Sequence, residues 1–240
     1  MSKIALVTGG TRGIGEAISK KISSSGIKVI ANYSSNDEAA KKFSEKNGID
    51  AVKFDVGDYN ECLKAIKGIE NKYGQISILI NNAGITRDAA LHKMTLQQWN
   101  DVINTNLNSA FNLVSSVIGK MRDSGFGRIV HISSVNGQKG QFGQTNYAAT
   151  KSALLGFSKS LALEVASKGI TSNVVAPGYI NTEMVAAIRE DILKSIVDTI
   201  PSKRLGESDE IADLVNFLIT KQAAYINGAT FSINGGLRMD

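Results

Sequence analysis

The chain has 240 residues, of which 42% are hydrophobic and 20% are charged, and it carries a net charge of +5. This balance is typical of a globular protein and excludes an intrinsically disordered chain. The basic excess is small and spread along the sequence, so it would attract a polyanionic small molecule as readily as a nucleic acid. The single cysteine, Cys62, excludes an intrachain disulfide and favours a reducing compartment.

Neither membrane attachment nor secretion is expected. No stretch approaches the ~18 continuous apolar residues of a membrane span. The first residues, Met1-Ser2-Lys3-Ile4, lead directly into a strand-like run, where a signal peptide does not fit. We therefore expect a cytoplasmic protein whose partners include neither membrane nor nucleic acid. His92 and His131 lack metal-ligand spacing, so we predict no metal and no catalytic histidine.

Short apolar runs alternate with longer amphipathic stretches, which indicates repeated β-α units around a parallel sheet. The predicted strands cover residues 4–8, 28–32, 51–54, 78–81, 127–132, 171–176 and 230–233. The predicted helices lie near 14–24, 37–46, 59–72, 96–121, 145–167 and 209–218. We expect one α/β domain over residues 1–240, a doubly wound Rossmann fold with a central seven-stranded parallel sheet. An irregular insertion is expected at about 178–205.

Glycines follow the first predicted strand, in Thr8-Gly9-Gly10-Thr11-Arg12-Gly13-Ile14-Gly15. Glycines here permit a tight turn and let backbone N–H groups approach a pyrophosphate at the start of the next helix. Because the stretch follows a strand and opens a helix, it indicates a dinucleotide site rather than a flexible turn. The predicted cofactor contacts are Gly9, Thr11, Arg12, Gly13, Ile14 and Gly15.

The end of the second strand indicates which dinucleotide binds. NAD sites usually place an acidic residue about 20 residues after the glycines, whereas this chain has Asn32-Tyr33-Ser34-Ser35. Arg12, with Ser34 or Ser35, could accommodate a 2′-phosphate, so NADP(H) is favoured, and Tyr33 and Ser34 are predicted cofactor contacts. The alternative is that Arg12 is only an exposed loop charge.

Two later strand ends complete the predicted cofactor site. Asp55 and Val56 follow the third strand, where Asp55 could bond the adenine amine or instead cap the helix beginning near Asp58. Asn82, Ala83 and Gly84 follow the fourth strand and could let the backbone run close to a ribose. Asn82 could equally brace neighbouring strands.

Tyr147 and Lys151 share one face of a predicted helix, because they are four residues apart, and Ser134 lies thirteen residues upstream of the tyrosine. A phenol has a pKa near ~10, and a neighbouring ammonium can lower it toward the working pH. A serine hydroxyl at the same place could bond a substrate carbonyl. The three residues could therefore reduce a ketone or oxidise an alcohol if a cofactor exchanged hydride.

The chain resembles the short-chain dehydrogenases/reductases in motifs that stand in family order: Thr8-Gly9-x-x-x-Gly13-x-Gly15, Asn81-Asn82-Ala83-Gly84, Asn106, Ser134, Tyr147, Lys151 and Pro177-Gly178. The resemblance spans residues 4–236. It implies that Tyr147 donates the proton, that Lys151 binds the nicotinamide ribose and lowers the phenol pKa, and that Ser134, rather than its neighbour Ser133, polarises the carbonyl. Asn106 would hold a relay water, although a helix asparagine usually bonds locally.

The same resemblance adds Pro177, Gly178, Ile180 and Thr182 to the cofactor site. Within the family, the segment before Tyr147 is similar to acetoacetyl-CoA reductases that supply (R)-3-hydroxybutyryl-CoA for polyhydroxybutyrate synthesis. This implies substrate contacts from Gln141, Phe142, Gln144, Tyr179, Asp88 and Arg189. Met184, Val185, Ala187 and Ile188 are expected to form an apolar flap.

Two alternatives to this function remain open. A 3-oxoacyl-[acyl-carrier-protein] reductase would perform the same chemistry on a protein-bound thioester and would need a basic rim, for which Lys120, Arg122 and Lys168 are candidates. A non-catalytic dinucleotide sensor would not need the three catalytic residue types. From the family likeness we expect a homotetramer, with the helices near 96–121 and 145–167 pairing across subunits.

Overall fold

The structure, a computed structural model, describes residues 3–182, 185 and 189–239. Its centre is a parallel sheet of seven strands in the order β3-β2-β1-β4-β5-β6-β7. The strands are β1 (Ile4–Val7), β2 (Lys28–Tyr33), β3 (Asp50–Lys53), β4 (Ile76–Asn81), β5 (Gly127–Ile132), β6 (Ile170–Pro177) and β7 (Thr230–Ile233). The doubly wound α/β fold predicted from the sequence is confirmed. The strand order reverses between β1 and β4, and ligands of such sheets bind at the carboxyl ends of the strands beside this reversal.

Helices cover the sheet on both faces. They are α1 (Gly13–Ser24), α2 (Asp37–Asn47), α3 (Tyr59–Tyr73), α4 (Leu96–Ile103), α5 (Ser109–Ser124), α6 (Val135–Lys139), α7 (Thr145–Val165), α8 (Glu190–Thr199) and α9 (Ser208–Leu218). Short 3-10 turns occupy Leu91–Lys93 and Ala166–Lys168. None of the helices within the described ranges is long and apolar enough to cross a membrane.

The side chains of strand β1 show how the sheet is covered on both faces. Its four residues are all buried apolar side chains, and successive side chains of a strand point to opposite faces. Ala5 and Val7 pack in the cluster that contains residues of α1 and α9. Ile4 and Leu6 pack in the cluster that contains residues of α3, α5 and α7. The sheet is therefore the middle layer of three, and its polar strand ends are left for the site.

Three elements differ from the sequence prediction. The helix predicted over 96–121 is interrupted by a π-helical turn at Asn104–Asn108 and continues to Ser124. Helix α6 was not predicted, and α8 lies inside the segment expected to be irregular at about 178–205. A five-residue helix is too short for a periodic pattern, and a π turn depends on tertiary contacts that local sequence does not encode.

Candidate active site

The glycine loop between β1 and α1 is closely packed against itself. A Cβ on Gly15 would lie 2.1 Å from the carbonyl oxygen of Gly9, and the φ angles of Gly9 and Gly13 are +57° and +52°. Side chains are excluded at Gly15 by space and disfavoured at Gly9 and Gly13 by backbone conformation. The loop brings the first amides of α1 to the carboxyl edge of the sheet.

The N-terminus of α1 lacks a side-chain cap, since the Arg12 side chain bonds none of the first amides. By contrast α2, α3 and α4 are capped by Asn36, Asp58 and Thr95. Uncapped amides and the positive end of the helix dipole suit a pyrophosphate. The loop therefore fits the phosphate groups of a dinucleotide.

Thr8 joins the glycine loop to the end of β4, a role that the sequence analysis did not assign. Its Oγ1 accepts hydrogen bonds from the backbone N–H groups of Asn82 (2.9 Å) and Ala83 (3.0 Å) and donates to the carbonyl oxygen of Ile80 (3.2 Å). Asn82 Nδ2 in turn donates to the carbonyl oxygen of Thr8 at 2.8 Å. Asn82 thus braces neighbouring strands, as its alternative reading proposed. The sequence signal that could have indicated this role is the hydroxyl residue placed directly before the first glycine.

The carboxylate nearest the end of β2, that of Asp37, is paired with a lysine. Asn32 is buried and its Oδ1 accepts from the Gly9 N–H at 3.2 Å. Asp37, at the start of α2, bonds Lys53 at 2.9 Å, and this bond, with a second from the Tyr33 hydroxyl, lowers the pKa of the Asp37 carboxyl. Ser34, like Arg12, is exposed. The Tyr33 hydroxyl is therefore engaged by Asp37, whereas the side chains of Arg12 and Ser34 are accessible to a ligand.

Asp55 forms a turn of its own after β3. Its Oδ1 accepts from the Gly57 N–H at 2.8 Å, and its N–H donates to Glu61 Oε2 at 2.8 Å. The reading in which Asp55 caps α3 is wrong, because Asp58 provides that cap. Val56 is buried in the hydrophobic cluster that also contains residues of α3 and α5.

Lys151 lies in the interior of the site. It is only 4% exposed, and its Nζ donates to the carbonyl oxygen of Ile132 at 2.7 Å. The Nζ atom is 5.7 Å from the centroid of the Tyr147 ring. Burial lowers the pKa of Lys151 to about 8. The ammonium is therefore still largely protonated at neutral pH.

The phenol of Tyr147 departs from the sequence expectation. Burial, as the largest cause, raises its pKa, a hydrogen bond to the Ser134 side chain acts in the opposite direction, and the charge of Asp88 raises it further. The net shift is therefore upward, opposite to the lowering expected from Lys151, because desolvation of the phenolate outweighs the Ser134 hydrogen bond. Tyr147 is a protonated acid at neutral pH, bonded to Ser134.

Asn106 lies in the π turn and reaches across the site. Its Oδ1 accepts from the Ile85 N–H at 2.8 Å, and its Nδ2 donates to the Ile85 carbonyl oxygen at 2.9 Å. The alternative of a local hydrogen bond is wrong, because Ile85 is far along the chain. A Cβ on Gly84 would be 3.4 Å from both Asn106 Oδ1 and Lys151 Nζ. Gly84 thus lies between them, and the three residues converge.

Ser133 and His131 are structural. Ser133 Oγ donates to the backbone carbonyl oxygen of Lys151 at 2.7 Å, so the neighbouring Ser134 is the serine bonded to the phenol. His131 is fully buried, and burial lowers its pKa to about 3. It is a neutral core residue that contacts Asn81 at 3.2 Å, which agrees with the prediction that it is not catalytic.

The segment after β6 approaches the glycine loop. Pro177 ends the strand, and a Cβ on Gly178 would lie 2.8 Å from Asn234 Cα. Ile180 is buried, and a Cβ on Gly13 would be 3.7 Å from Thr182 Cγ2. Of the predicted cofactor residues in this segment, Thr182 therefore borders the glycine loop.

Part of the predicted substrate site is assembled around α6. Gln144 Nε2 donates to Asp88 Oδ2 at 2.8 Å, and its Oε1 accepts from Asn136 Nδ2 at 3.0 Å. The Asn136 side chain also hydrogen-bonds the Tyr179 hydroxyl, which lowers the pKa of Tyr179 against the larger raising effect of burial. Asn136 therefore connects three predicted substrate residues, although it was not predicted itself.

The other predicted substrate residues lie outside this group. Gln141 is exposed and accepts from Lys139 Nζ at 3.0 Å, and Phe142 is 89% exposed. The substrate contacts predicted for Gln141 and Phe142 would therefore be made from exposed side chains. Arg189, predicted to contact the substrate, pairs with Asp191 at 2.6 Å. The predicted flap residues Met184, Ala187 and Ile188 are outside the described residues.

Among the residues that the structure describes, no three His, Cys, Asp or Glu side chains form a possible metal site. The glycine loop forms a dinucleotide cradle, and Ser134, Tyr147 and Lys151 form an acid–base group at the carboxyl edge of the sheet. Such a pairing is suited to hydride and proton transfer at a carbonyl.

Comparison with known proteins agrees with this geometry. Residues 3–193 match the family described as short chain dehydrogenase. An acetoacetyl-CoA reductase of Shinella zoogloeoides is 56% identical over 98% of both chains, and one of Cupriavidus necator is 49% identical over 99% of this chain and 98% of its own. The 3-oxoacyl-[acyl-carrier-protein] reductase of Escherichia coli is 46% identical over 99% of this chain and 98% of its own.

The residues matched by the family include the glycine loop and the Ser134, Tyr147 and Lys151 positions. Members of this family use a nicotinamide dinucleotide, which the cradle at α1 fits. The chain is an oxidoreductase and belongs to the short-chain dehydrogenase family.

Proposed function

We propose that the protein reduces acetoacetyl-CoA to (R)-3-hydroxybutyryl-CoA with NADPH and so supplies polyhydroxybutyrate synthesis. The observation that carries the chemistry is the partly buried Tyr147, whose hydroxyl hydrogen-bonds the Ser134 side chain and whose ring lies beside the Lys151 ammonium. The substrate is supported by the acetoacetyl-CoA reductases, which are 44–56% identical over nearly the whole chain.

Ser134, Tyr147 and Lys151 each have a separate role in protonating the substrate. The bound nicotinamide supplies the hydride. Ser134 Oγ accepts from the Asn136 N–H at 3.1 Å, which leaves its own proton to bond the substrate carbonyl oxygen. Tyr147 then gives its proton to that oxygen and becomes a phenolate, and the Lys151 ammonium stabilises the negative charge.

Proton return to Tyr147 would involve Asn106. Both polar atoms of its side chain are occupied by the backbone of Ile85. A relay water would therefore bind its backbone carbonyl rather than its side chain. The π turn suits this role, because such turns disturb the regular i to i−4 pairing and so can release a carbonyl.

NADPH is favoured over NADH by the charges at the end of β2. The first carboxylate after that strand, Asp37, is held by Lys53 at 2.9 Å. It is therefore a poor acceptor for a ribose 2′-hydroxyl. Arg12 is exposed at the start of α1, where its guanidinium could pair with a 2′-phosphate.

The second candidate is the reduction of a 3-oxoacyl group on acyl carrier protein, which the Escherichia coli relative supports. Carrier proteins are acidic, and of the three predicted rim cations Lys120 pairs with Glu70. This pairing weakens the proposed rim and favours the coenzyme A thioester. A non-catalytic sensor is disfavoured, because it would not need the buried acid and ammonium.

Steady-state kinetics on acetoacetyl-CoA and on acetoacetyl carrier protein, each with NADPH and NADH, tests the function. We expect the highest kcat/KM for acetoacetyl-CoA with NADPH. A large preference for the carrier protein would overturn the proposed substrate, and the absence of turnover with either would overturn the reductase itself.

We further propose that the chain forms one domain and assembles as a homotetramer in the cytoplasm. Phe111 on α5 is exposed and stacks with Tyr59, with 6.3 Å between ring centroids. Leu163 on α7 is 86% exposed. Apolar side chains on these helices support pairing across copies. Light scattering should give the mass of four chains.

A further inference from the structure

A chain of hydrogen bonds runs from a carboxylate at the surface to a buried amide beside the catalytic serine. Asp88 Oδ2 accepts from Gln144 Nε2 at 2.8 Å, and Gln144 Oε1 accepts from Asn136 Nδ2 at 3.0 Å. Asn136 is 8% exposed, and its Oδ1 is buried without a hydrogen-bond partner among the described residues.

The Asp88 carboxylate determines which group donates in each of these hydrogen bonds. An ionised carboxylate only accepts hydrogen bonds, so Gln144 must turn its amino group toward Asp88. Its carbonyl oxygen then faces Asn136, which must turn its own amino group toward Gln144. Each amide is therefore oriented by the previous one, and the acceptor left at the inner end is Asn136 Oδ1.

Asn136 also contacts the catalytic group and the opposite wall of the site. Its backbone N–H donates to Ser134 Oγ at 3.1 Å, and its side chain bonds the Tyr179 hydroxyl. The same residue therefore touches the serine that polarises the carbonyl and two residues predicted to surround the acyl group. A side chain with these contacts can align Gln144 and Tyr179 relative to Ser134.

We propose that Asn136 is a positioning residue for the acyl substrate, acting through the amide orientation that it and Asp88 impose on Gln144. The role rests on the proposed reductase function but not on whether coenzyme A or a carrier protein bears the thioester. Because Gln144 has both amide ends occupied by protein groups, it forms a fixed wall rather than an adaptable substrate ligand. Loss of the Asn136 amino group should therefore disturb thioester binding and leave the dinucleotide cradle intact.

Variants that reverse the donor and acceptor ends of the hydrogen bonds to Gln144 test this role. Asn136→Asp places acceptors at both ends of Gln144, whose single amino group cannot serve both. We expect the KM for the thioester to rise about tenfold, as expected for loss of a hydrogen bond worth about 1.4 kcal/mol, with the Kd for NADPH within about twofold. In the double variant Asp88→Asn with Asn136→Asp, donor and acceptor ends are exchanged, and Gln144 can bond both in the opposite direction. We expect its KM to return to within about threefold of wild type.

A matched control lies on the same helix. Gln138→Glu makes the same change of amide to acid, but Gln138 faces the Ser232 hydroxyl at 3.1 Å, which can either donate or accept. We expect an unchanged KM for Gln138→Glu. If the KM effects of Asp88→Asn and Asn136→Asp simply multiply, or if Asn136→Asp leaves the KM unchanged, the proposal is wrong.

The wild type, the single variants Asp88→Asn and Asn136→Asp and their double variant, unfolded thermally without any ligand, separate this proposal from the proposed function. We expect Asn136→Asp to lower the Tm and Asp88→Asn to restore part of it. If the Tm changes of the two single variants add in the double variant, the proposed hydrogen bonds through Gln144 are wrong, whatever the substrate. If the double variant regains Tm but no protein turns over a thioester, only the proposed function is wrong. Should Asn136→Asp fail to fold, Asn136→Ala replaces it: a raised thioester KM with normal NADPH binding supports the role, and an unchanged KM overturns it.

Discussion

Lys151 Nζ donates a 2.7 Å hydrogen bond to the backbone carbonyl oxygen of Ile132, the last residue of β5. The bond ties the catalytic helix α7 to the sheet at the level of the acid–base group. It also holds a cation where burial has lowered its pKa from 10.5 to about 8. A charge that is costly to bury is kept at the position where a phenolate would need it.

This cost makes stability depend on pH. Because the folded pKa of Lys151 is about 8 and its usual value is 10.5, the unfolded chain binds more protons between these values. Stability contributed by this residue should therefore rise with pH through that window. Relative to Lys151→Met, the wild-type free energy of unfolding should increase by about 2 kcal/mol from pH 7.5 to 9.5. Urea unfolding at both pH values measures it, and parallel curves would show that the ammonium is not desolvated.

Removal of the phenol hydroxyl should separate catalysis from binding. Tyr147→Phe keeps the partly buried ring but removes the proton donor, so we expect kcat to fall by about 10²- to 10⁴-fold. The Kd for NADPH, measured by fluorescence titration, should stay within about twofold of wild type, because the hydroxyl serves the carbonyl rather than the cradle. Turnover at the wild-type rate in this variant would assign the proton to another group.

Local sequence was sufficient for the features that depend on pattern. The apolar runs predicted every strand of the sheet, since a strand covered on both faces has few alternatives. The glycine loop was predictable because Gly15 has no room for a Cβ and Gly9 requires a left-handed backbone. These constraints act within a few residues of the chain.

Features set by three-dimensional packing were missed. The direction of the Tyr147 pKa depends on how deeply α7 buries the ring, which spacing to Lys151 does not reveal. The π turn accompanies the bonds of Asn106 to Ile85, 21 residues away. The role of Asn136 depends on Asp88 and Gln144, which meet only when two loops pack together. None of these contacts leaves a periodic signal.

Cofactor preference should depend on one exposed cation. If Arg12 pairs with a 2′-phosphate, Arg12→Ala should raise the KM for NADPH about tenfold and leave the KM for NADH unchanged. Lys20→Ala is the matched control, because Lys20 is an exposed cation in the middle of the same helix. Steady-state kinetics at low and high salt should show the Arg12 effect shrinking as salt screens it. An equal change in the KM for NADPH and for NADH would mean that Arg12 does not bind the 2′-phosphate.

The hydroxyl of Thr8 should matter more than its methyl group. Thr8→Val has nearly the same shape but removes the acceptor of the Asn82 and Ala83 N–H groups. We expect the free energy of unfolding to fall by about 2 kcal/mol and NADPH to bind more weakly, because an unsatisfied N–H costs about 1–3 kcal/mol. Thr8→Ser keeps the hydroxyl and loses only a methyl group, so it should lie closer to wild type in both measurements. Urea unfolding and cofactor titration of the pair decide the point: if Thr8→Val is as stable as Thr8→Ser, the link between the glycine loop and β4 is made by packing and not by these hydrogen bonds.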